Sequence, residues 1–255
     1  MNLLNFKTNY ELIIKCLIHK MRIALDSDFI PKAMLERAIE MLKYTPKDVK
    51  YAISNVTLDL LHRQDLDINH YEQYVSIIGV GGSSVVFQIG EFVLKLGVER
   101  FNDKIPNHER ILQPLIRCVF SLPSIGNISS LYLEVQNLVD RDWYKNMSFQ
   151  ERMDVIDKIS TELTDSGINW EDNKSANIGK LLKPNKPNIT IGYTYNNGSW
   201  VPDEYISSDS LGLVGDSFKV LPAGEYVILD TDSLVPLNFT SIDEYAKNLN
   251  DGESR

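Results

Sequence analysis

The stretch IGVGGSSVVFQIGEFVLKLG, residues 78–97, decides how the chain reads. Gly79, Gly81 and Gly82 fall within four positions and lead through Ser83 and Ser84 into a β-branched run. Glycine has no Cβ, so its backbone can pass close to another group. Lys95 then stands near the end of a second apolar run, where a lysine is costly to bury without an anionic partner. The pattern predicts strand, pliable loop and strand, with a cation aimed at whatever lies beneath the loop.

Working outward, YVSIIGV (74–80), SVVFQIG (84–90) and EFVLKLG (91–97) predict three short strands, with Gly90-Glu91 turning the second into the third. IPNHERILQPLIR (105–117) reads as a short helix from about Pro106 that Pro114 ends or kinks. SSLYLEVQNL (129–138) reads as strand. SFQERMDVIDKISTELTDSG (148–167) is the clearest helix. Ser148 and Glu151 form a capping box, Met153, Ile156, Ile159 and Leu163 line one face, and Gly167 supplies the stop. ITIGYTYNNGSWVPD (189–203) alternates about Asn197-Gly198, a hairpin signal. EYVILDTDSLVPL (225–237) is a strand running into two aspartates, and a short helix is expected over about 241–249.

Residues 1–66 read as helical. Leu12, Ile13, Cys16, Leu17 and Met21 recur at helical spacing, as do Met34, Leu35, Ala38, Ile39 and Leu42. A third helix runs from Pro46 to about Leu61, with Thr45 as the expected N-cap. No catalytic motif lies in this preface.

The 255 residues carry a net charge of −9. Residues 1–100 hold 12 basic and 12 acidic side chains, and the remainder hold 14 and 23, so the whole excess lies after residue 100. That balance argues against nucleic acid and anionic membrane as partners. Cys16 and Cys118 are too few and too far apart for a disulfide framework, which favours a reducing compartment. The apolar N-terminus is broken by Lys7, Glu11, Lys15 and Lys20, too charged for a membrane span. The expected location is cytoplasmic, either of the producing cell or of a host.

Four pieces then stand in fixed order: the glycine loop 79–86, Lys95, the segment INWEDNKSANIG (168–179) with Asp172, Lys174 and Asn177, and VILDTD (227–232) with Asp230 after an apolar strand. This order resembles the protein-kinase fold and its small-molecule phosphotransferase relatives. Each piece also has its own chemistry. Backbone N–H groups of a glycine turn can point at phosphate oxygens. Lysine offers them a compact charge. A loop carboxylate can orient a hydroxyl and take its proton, and Asn and Asp oxygens suit Mg²⁺.

The resemblance implies an α+β, kinase-like bilobal fold with an antiparallel N-lobe sheet, a truncated C-lobe and an N-terminal helical extension. It implies an N-terminal helical region over 1–66, an N-lobe over 67–137, and a reduced C-lobe over 138–255 carrying an inserted hairpin at about 181–225. It implies ATP and Mg²⁺ as cofactors. Gly79, Gly81, Gly82, Ser83, Ser84 and Val86 would cover the nucleotide, Lys95 would hold its phosphates, and Glu134 and Gln136 would lie in the segment that meets adenine. Glu109, on the helix expected after Pro106, would pair with Lys95, with Ile111 and Leu112 facing the sheet. Asp172 and Lys174 would be catalytic, and Asn177, Asp230 and Asp232 would hold metal.

The departures are specific. Trp170-Glu171 replaces the family's His-Arg, and Thr231-Asp232 replaces its Phe-Gly. Asn177 and Asp230 stand 53 positions apart, and 23 residues follow Asp232. Short kinase-like chains of this kind resemble bacterial effectors and phage-encoded kinases, which implies Ser/Thr phosphorylation of a host protein. A pseudokinase that docks a partner protein and a small-molecule phosphotransferase are the alternatives.

Overall fold

The computed structural model describes residues 3–26, 31–81, 84–98, 108–125, 128–185, 191–196, 199–203, 219–229 and 234–236. Its helices are α1 (Leu3–Leu25), α2 (Lys32–Tyr44), α3 (Lys47–His62) and α4 (Phe149–Asp165). Its strands are β1 (Val75–Val80), β2 (Ser84–Ile89), β3 (Phe92–Val98), β4 (Ile116–Ile125), β5 (Ile128–Asn137), β6 (Val139–Asp140), β7 (Ile168–Trp170), β8 (Ile178–Leu181), β9 (Ile191–Asn196), β10 (Ser199–Asp203), β11 (Tyr226–Ile228) and β12 (Leu234–Pro236). The fold is α+β. The chain forms two compact units, one of Met1–Arg100, Pro114–Asn137 and Ile191–Asp203, the other of Phe101–Gln113, Leu138–Thr190 and Glu204–Arg255.

In the first unit, α1, α2 and α3 pack on a sheet ordered β1-β2-β3-β5-β4-β9-β10. The five strands β1, β2, β3, β5 and β4 are antiparallel to their neighbours. The hairpin β9–β10, whose turn residues Asn197 and Gly198 lie outside the described residues, extends this sheet by running parallel to β4. Period-2 alternation decides the faces. Val85, Phe87, Ile89, Leu94, Leu96, Cys118, Phe120, Leu131, Leu133 and Val135 share one core with the buried faces of the three helices. The turn from β2 to β3 needs Gly90, whose φ is +59°. Gln64 of the α3 end braces it, donating to Ile89 O (3.2 Å) and accepting from Glu91 N (2.6 Å).

Thr45 does not cap α3. Its hydroxyl donates back to Met41 O at 2.6 Å and closes the end of α2, while Pro46 occupies the N-cap of α3 without a side-chain bond. β4 was missed by the sequence reading, although IRCVFSLPSI alternates as a strand should.

In the second unit, α4 has the predicted capping box: Ser148 Oγ accepts from Glu151 N at 3.2 Å, and Ser148 N donates to Glu151 Oε2 at 2.7 Å. Gly167, with φ +81°, ends the helix. Two small sheets, β11-β8-β6 and β12-β7, lie in this unit. Ile156, Ile159 and Leu163 of α4 share a core with Trp143, Ile168, Trp170, Ile178 and Ile228.

The helix expected from Pro106 is not formed over the described residues 108–113. There the chain makes a turn at Glu109 and Arg110 and then bridges Ile111 to Ile228 in parallel. Ile228 N donates to Arg110 O (2.7 Å) and Leu112 N to Ile228 O (3.0 Å), so these backbone groups serve β11 rather than a helix. Ile111 and Leu112 accordingly bury in the cores of the second unit. The helix expected over 241–249 lies outside the described residues.

Candidate functional site

The first unit contributes a row of side chains on the sheet face opposite the helices. Gly79, Val86, Lys95, Glu134 and Arg117 are successive cross-strand partners on β1, β2, β3, β5 and β4. Direct partners point to the same side of a sheet. Leu94 and Leu96 face the helical core, so Lys95 between them must face away. Arg117 is fully buried and Glu134 is 1% exposed, with Arg117 Nε 3.3 Å from Glu134 Oε1. Lys95 and Val86 are half-buried. On the same face Ser84, Gly97 and Tyr132 form the adjacent row, and a Cβ on Gly97 would run into the Tyr132 ring.

The glycine loop closes tightly where it is described. Gly81 N donates to Ser84 O at 2.9 Å, and the β1 register shifts between Ile77 and Gly79 just before the loop. A Cβ at Gly81 would meet nothing nearer than Ser84 O at 4.0 Å, and its φ is not left-handed. Among the described residues, neither packing nor backbone conformation demands glycine there. Gly82 and Ser83 lie outside the described residues.

The second unit contributes the loop after β7. Lys174 N donates to Asp172 O (2.8 Å) and Asn177 N to Lys174 O (2.9 Å), folding the loop on itself. Asn177 Nδ2 donates both to Asp172 O (3.0 Å) and to Asp172 Oδ2 (2.9 Å). Lys174 Nζ lies 2.6 Å from Asp172 Oδ1. The Lys174 ammonium, with help from the Asn177 amide, holds the Asp172 carboxyl below its ordinary range. The carboxylate is therefore ionised at neutral pH, and with Nδ2 spent on Asp172, Oδ1 is the Asn177 atom suited to a hard cation.

β8 leaves Asn177 and pairs with β11. Leu229 N donates to Asn177 O at 2.8 Å, so the chain that continues to Asp230 departs from beside the loop. Asp230 and Asp232 lie outside the described residues. Among the described residues no group of three or more His, Cys, Asp or Glu could hold a metal ion.

Glu109, Asp172, Lys174 and Asn177 thus belong to the second unit, while Lys95, the glycine loop, Glu134 and Gln136 belong to the first. Glu109 sits in a turn, its carbonyl accepting from Asn185 Nδ2 at 2.8 Å. Glu134 lies inside β5 with strand partners on both sides, so its side chain rather than its backbone is what it offers. Gln136 pairs with Val93 of β3 at the end of the same strand.

Two arginines escaped the sequence reading. Arg117 was hidden at the end of a predicted helix. Arg110, whose side chain is 4% exposed, is held bidentately by Glu162 of α4 and donates to Glu225 Oε2 (2.7 Å) and Tyr226 O (3.1 Å). The signal for Arg117 was its place between Ile116 and Cys118 at the start of the apolar run that continues through Val119 and Phe120.

No protein-family model matches the chain, and no curated protein sequence matches it. No helix among the described residues is long and apolar enough to cross a membrane.

Proposed function

We propose that the chain is a minimal, atypical phosphotransferase that uses ATP and Mg²⁺ and acts on a Ser or Thr hydroxyl of a protein, as its kinase-like motif order implies. One observation carries the reading most: the Asp172–Asn177 loop, in which Asn177 pins the Asp172 carboxylate and receives the backbone of the strand that leads to Asp230. That juxtaposition is what a phosphoryl-transfer site needs from its catalytic loop.

In this reading Lys95 and the glycine-loop amides hold the triphosphate by charge and backbone donation. Asp172 orients the attacking hydroxyl, and Lys174 neutralises charge on the transferring group. Asn177 Oδ1 and the carboxylates at 230 and 232 fit Mg²⁺, which takes oxygen ligands and would neutralise the phosphates when bound. The departures favour a second reading. Trp170 is 5% exposed and belongs to the core, so the position where the family has histidine serves packing here. That change fits a module that binds nucleotide and a partner protein without transfer.

The test is incubation with γ-labelled ATP, Mg²⁺ and cell lysate, alongside Lys95→Met and Asp172→Asn. The expected result is label transfer by the wild type, lowered by about 10²-fold or more in both variants. Stabilisation by Mg·ATP without transfer selects the binding module. Neither stabilisation nor transfer overturns both readings.

A further inference from the structure

We infer that Glu134, clamped by Arg117, is the positioning residue for the Lys95 ammonium, an assignment that rests on the phosphotransferase reading. The resemblance implies Glu109 on a helix for this role, but Glu109 sits in a turn. Lys95 and Glu134 are direct partners across β3 and β5, and Glu134 and Arg117 are direct partners across β5 and β4. Directly opposed residues of a sheet have Cβ atoms about 5 Å apart, on the same face. The carboxylate is thus flanked by two cations on one cross-strand row. Glu134 Oε1 lies 3.3 Å from Arg117 Nε, and Lys95 stands opposite Glu134 in the strand register.

Burial gives the argument its weight. Glu134 is 1% exposed and Arg117 is fully buried. A buried ion pair is poor evidence of stabilisation, because desolvation consumes most of the Coulombic gain and a well-packed apolar pair serves as well. What it does supply is a carboxylate buried beside Arg117, 3.3 Å from its Nε. A carboxylate about 6 Å or less from an ammonium favours its charged form. The row therefore sets a buried carboxylate directly opposite Lys95, in line with Val86 and Gly79. The placement comes from sheet register, where a helix-borne glutamate would depend on the docking of a separate element.

The test reads Lys95 directly, without nucleotide. Brief acetylation of the folded protein with acetic anhydride at pH 8, followed by peptide mass spectrometry, measures the reactivity of each lysine, with exposed Lys47 as internal reference. Two variants are compared with wild type, Glu134→Gln and the exchange Arg117→Glu with Glu134→Arg. The exchange retains opposite charges at the two positions but moves the carboxylate one strand away and sets a guanidinium opposite Lys95. The expected result is acetylation of Lys95 about tenfold faster in both variants, in which the carboxylate opposite it is gone. Mg·ATP turnover should fall at least tenfold in the exchange variant, whose melting temperature stays near wild type. Should Glu134→Gln fail to fold, the exchange variant carries the test alone. Lys95 reactivity within twofold of wild type in a folded exchange variant overturns the assignment, whatever the enzyme does with ATP. Faster acetylation in a protein whose wild type gains nothing from Mg·ATP supports the pairing and overturns the phosphotransferase reading.

Discussion

Replacing Arg110 with methionine should loosen the second unit at neutral pH and do little in acid. The Arg110 side chain is 4% exposed and joins Glu162 of α4 to Glu225 beside β11. Hydrogen bonds to charged groups contribute about 1.5–3 kcal/mol each, and removing one member of a fully buried pair costs about 3–5 kcal/mol. Here the abandoned carboxylates are 35% and 34% exposed, and Lys158 still lies 3.4 Å from Glu225. Water and Lys158 would recover part of the loss, which leaves about 2 kcal/mol. Bonding to Arg110 is also the first cause that holds Glu162 and Glu225 below the usual carboxylate range. A carboxylate with a depressed folded pKa contributes stability above its unfolded value, about 4.3, and loses it as pH falls through the lower folded value. The deficit of Arg110→Met should accordingly be full at pH 7 and shrink below about pH 4. Trp143 and Trp170 both lie in the core of this unit and Trp200 in the first, so in a Trp200→Phe background tryptophan fluorescence during urea unfolding reports on the second unit. At an ordinary urea dependence the midpoint should drop by about 1 M at pH 7. Arg110 O also accepts from Ile228 N at 2.7 Å, a backbone bond that the substitution leaves in place. A midpoint unchanged at pH 7, or an equal loss at pH 3.5, would refute the reasoning.

Two further outcomes follow from the geometry. Asn177→Asp keeps an oxygen for a cation but removes the Nδ2 donor and sets a second carboxylate against Asp172; phosphotransfer should fall about 10²-fold, and undiminished transfer would exclude Asn177 from the loop's work. Cys16 and Cys118 are both buried, and desolvation pushes each thiol up to about 11, so a disulfide reagent at pH 8 should leave the native protein unlabelled and react with both thiols once urea is added.

The elements legible in the sequence are those whose signals are local. The capping box at Ser148 and Glu151, the stop at Gly167 and the turn at Gly90 each act within a few residues, and each forms as read. The segment 108–113 failed for the opposite reason. Its apolar spacing suits a helix, but Ile111 and Leu112 gain more by completing cores beside β11, some 115 residues later in the chain, and Asn185 fixes the turn through the carbonyls of Glu109 and Ile111. No local signal announces a partner so distant. The Arg117–Glu134 pair is closer in sequence, a contact between the consecutive antiparallel strands β4 and β5, and it was hidden because Arg117 was read as the end of a helix. The loop from Asp172 to Asn177 was legible because both ends of its key hydrogen bond fall within six residues.

The face on which Lys95 stands is set by hydrophobic burial rather than by anything polar. Leu94 and Leu96 flank it and are 0% and 2% exposed in the helix-packed core. Their cross-strand partners Phe87 and Val85 on β2 are fully buried as well. Because side chains alternate with period 2, sliding β3 by one residue would turn both leucines out and drive the ammonium into that core. Burying a leucine side chain stabilises by about 1.5–3 kcal/mol, and an unpaired ammonium in the core adds a larger penalty. The correct register is thus favoured by many kilocalories even before Glu134 is considered. The three N-terminal helices, which carry no motif, supply the apolar surface that makes this discrimination possible. In that sense they are part of the site: by claiming one face of the sheet they oblige Val86, Lys95, Glu134 and Arg117 to occupy the other.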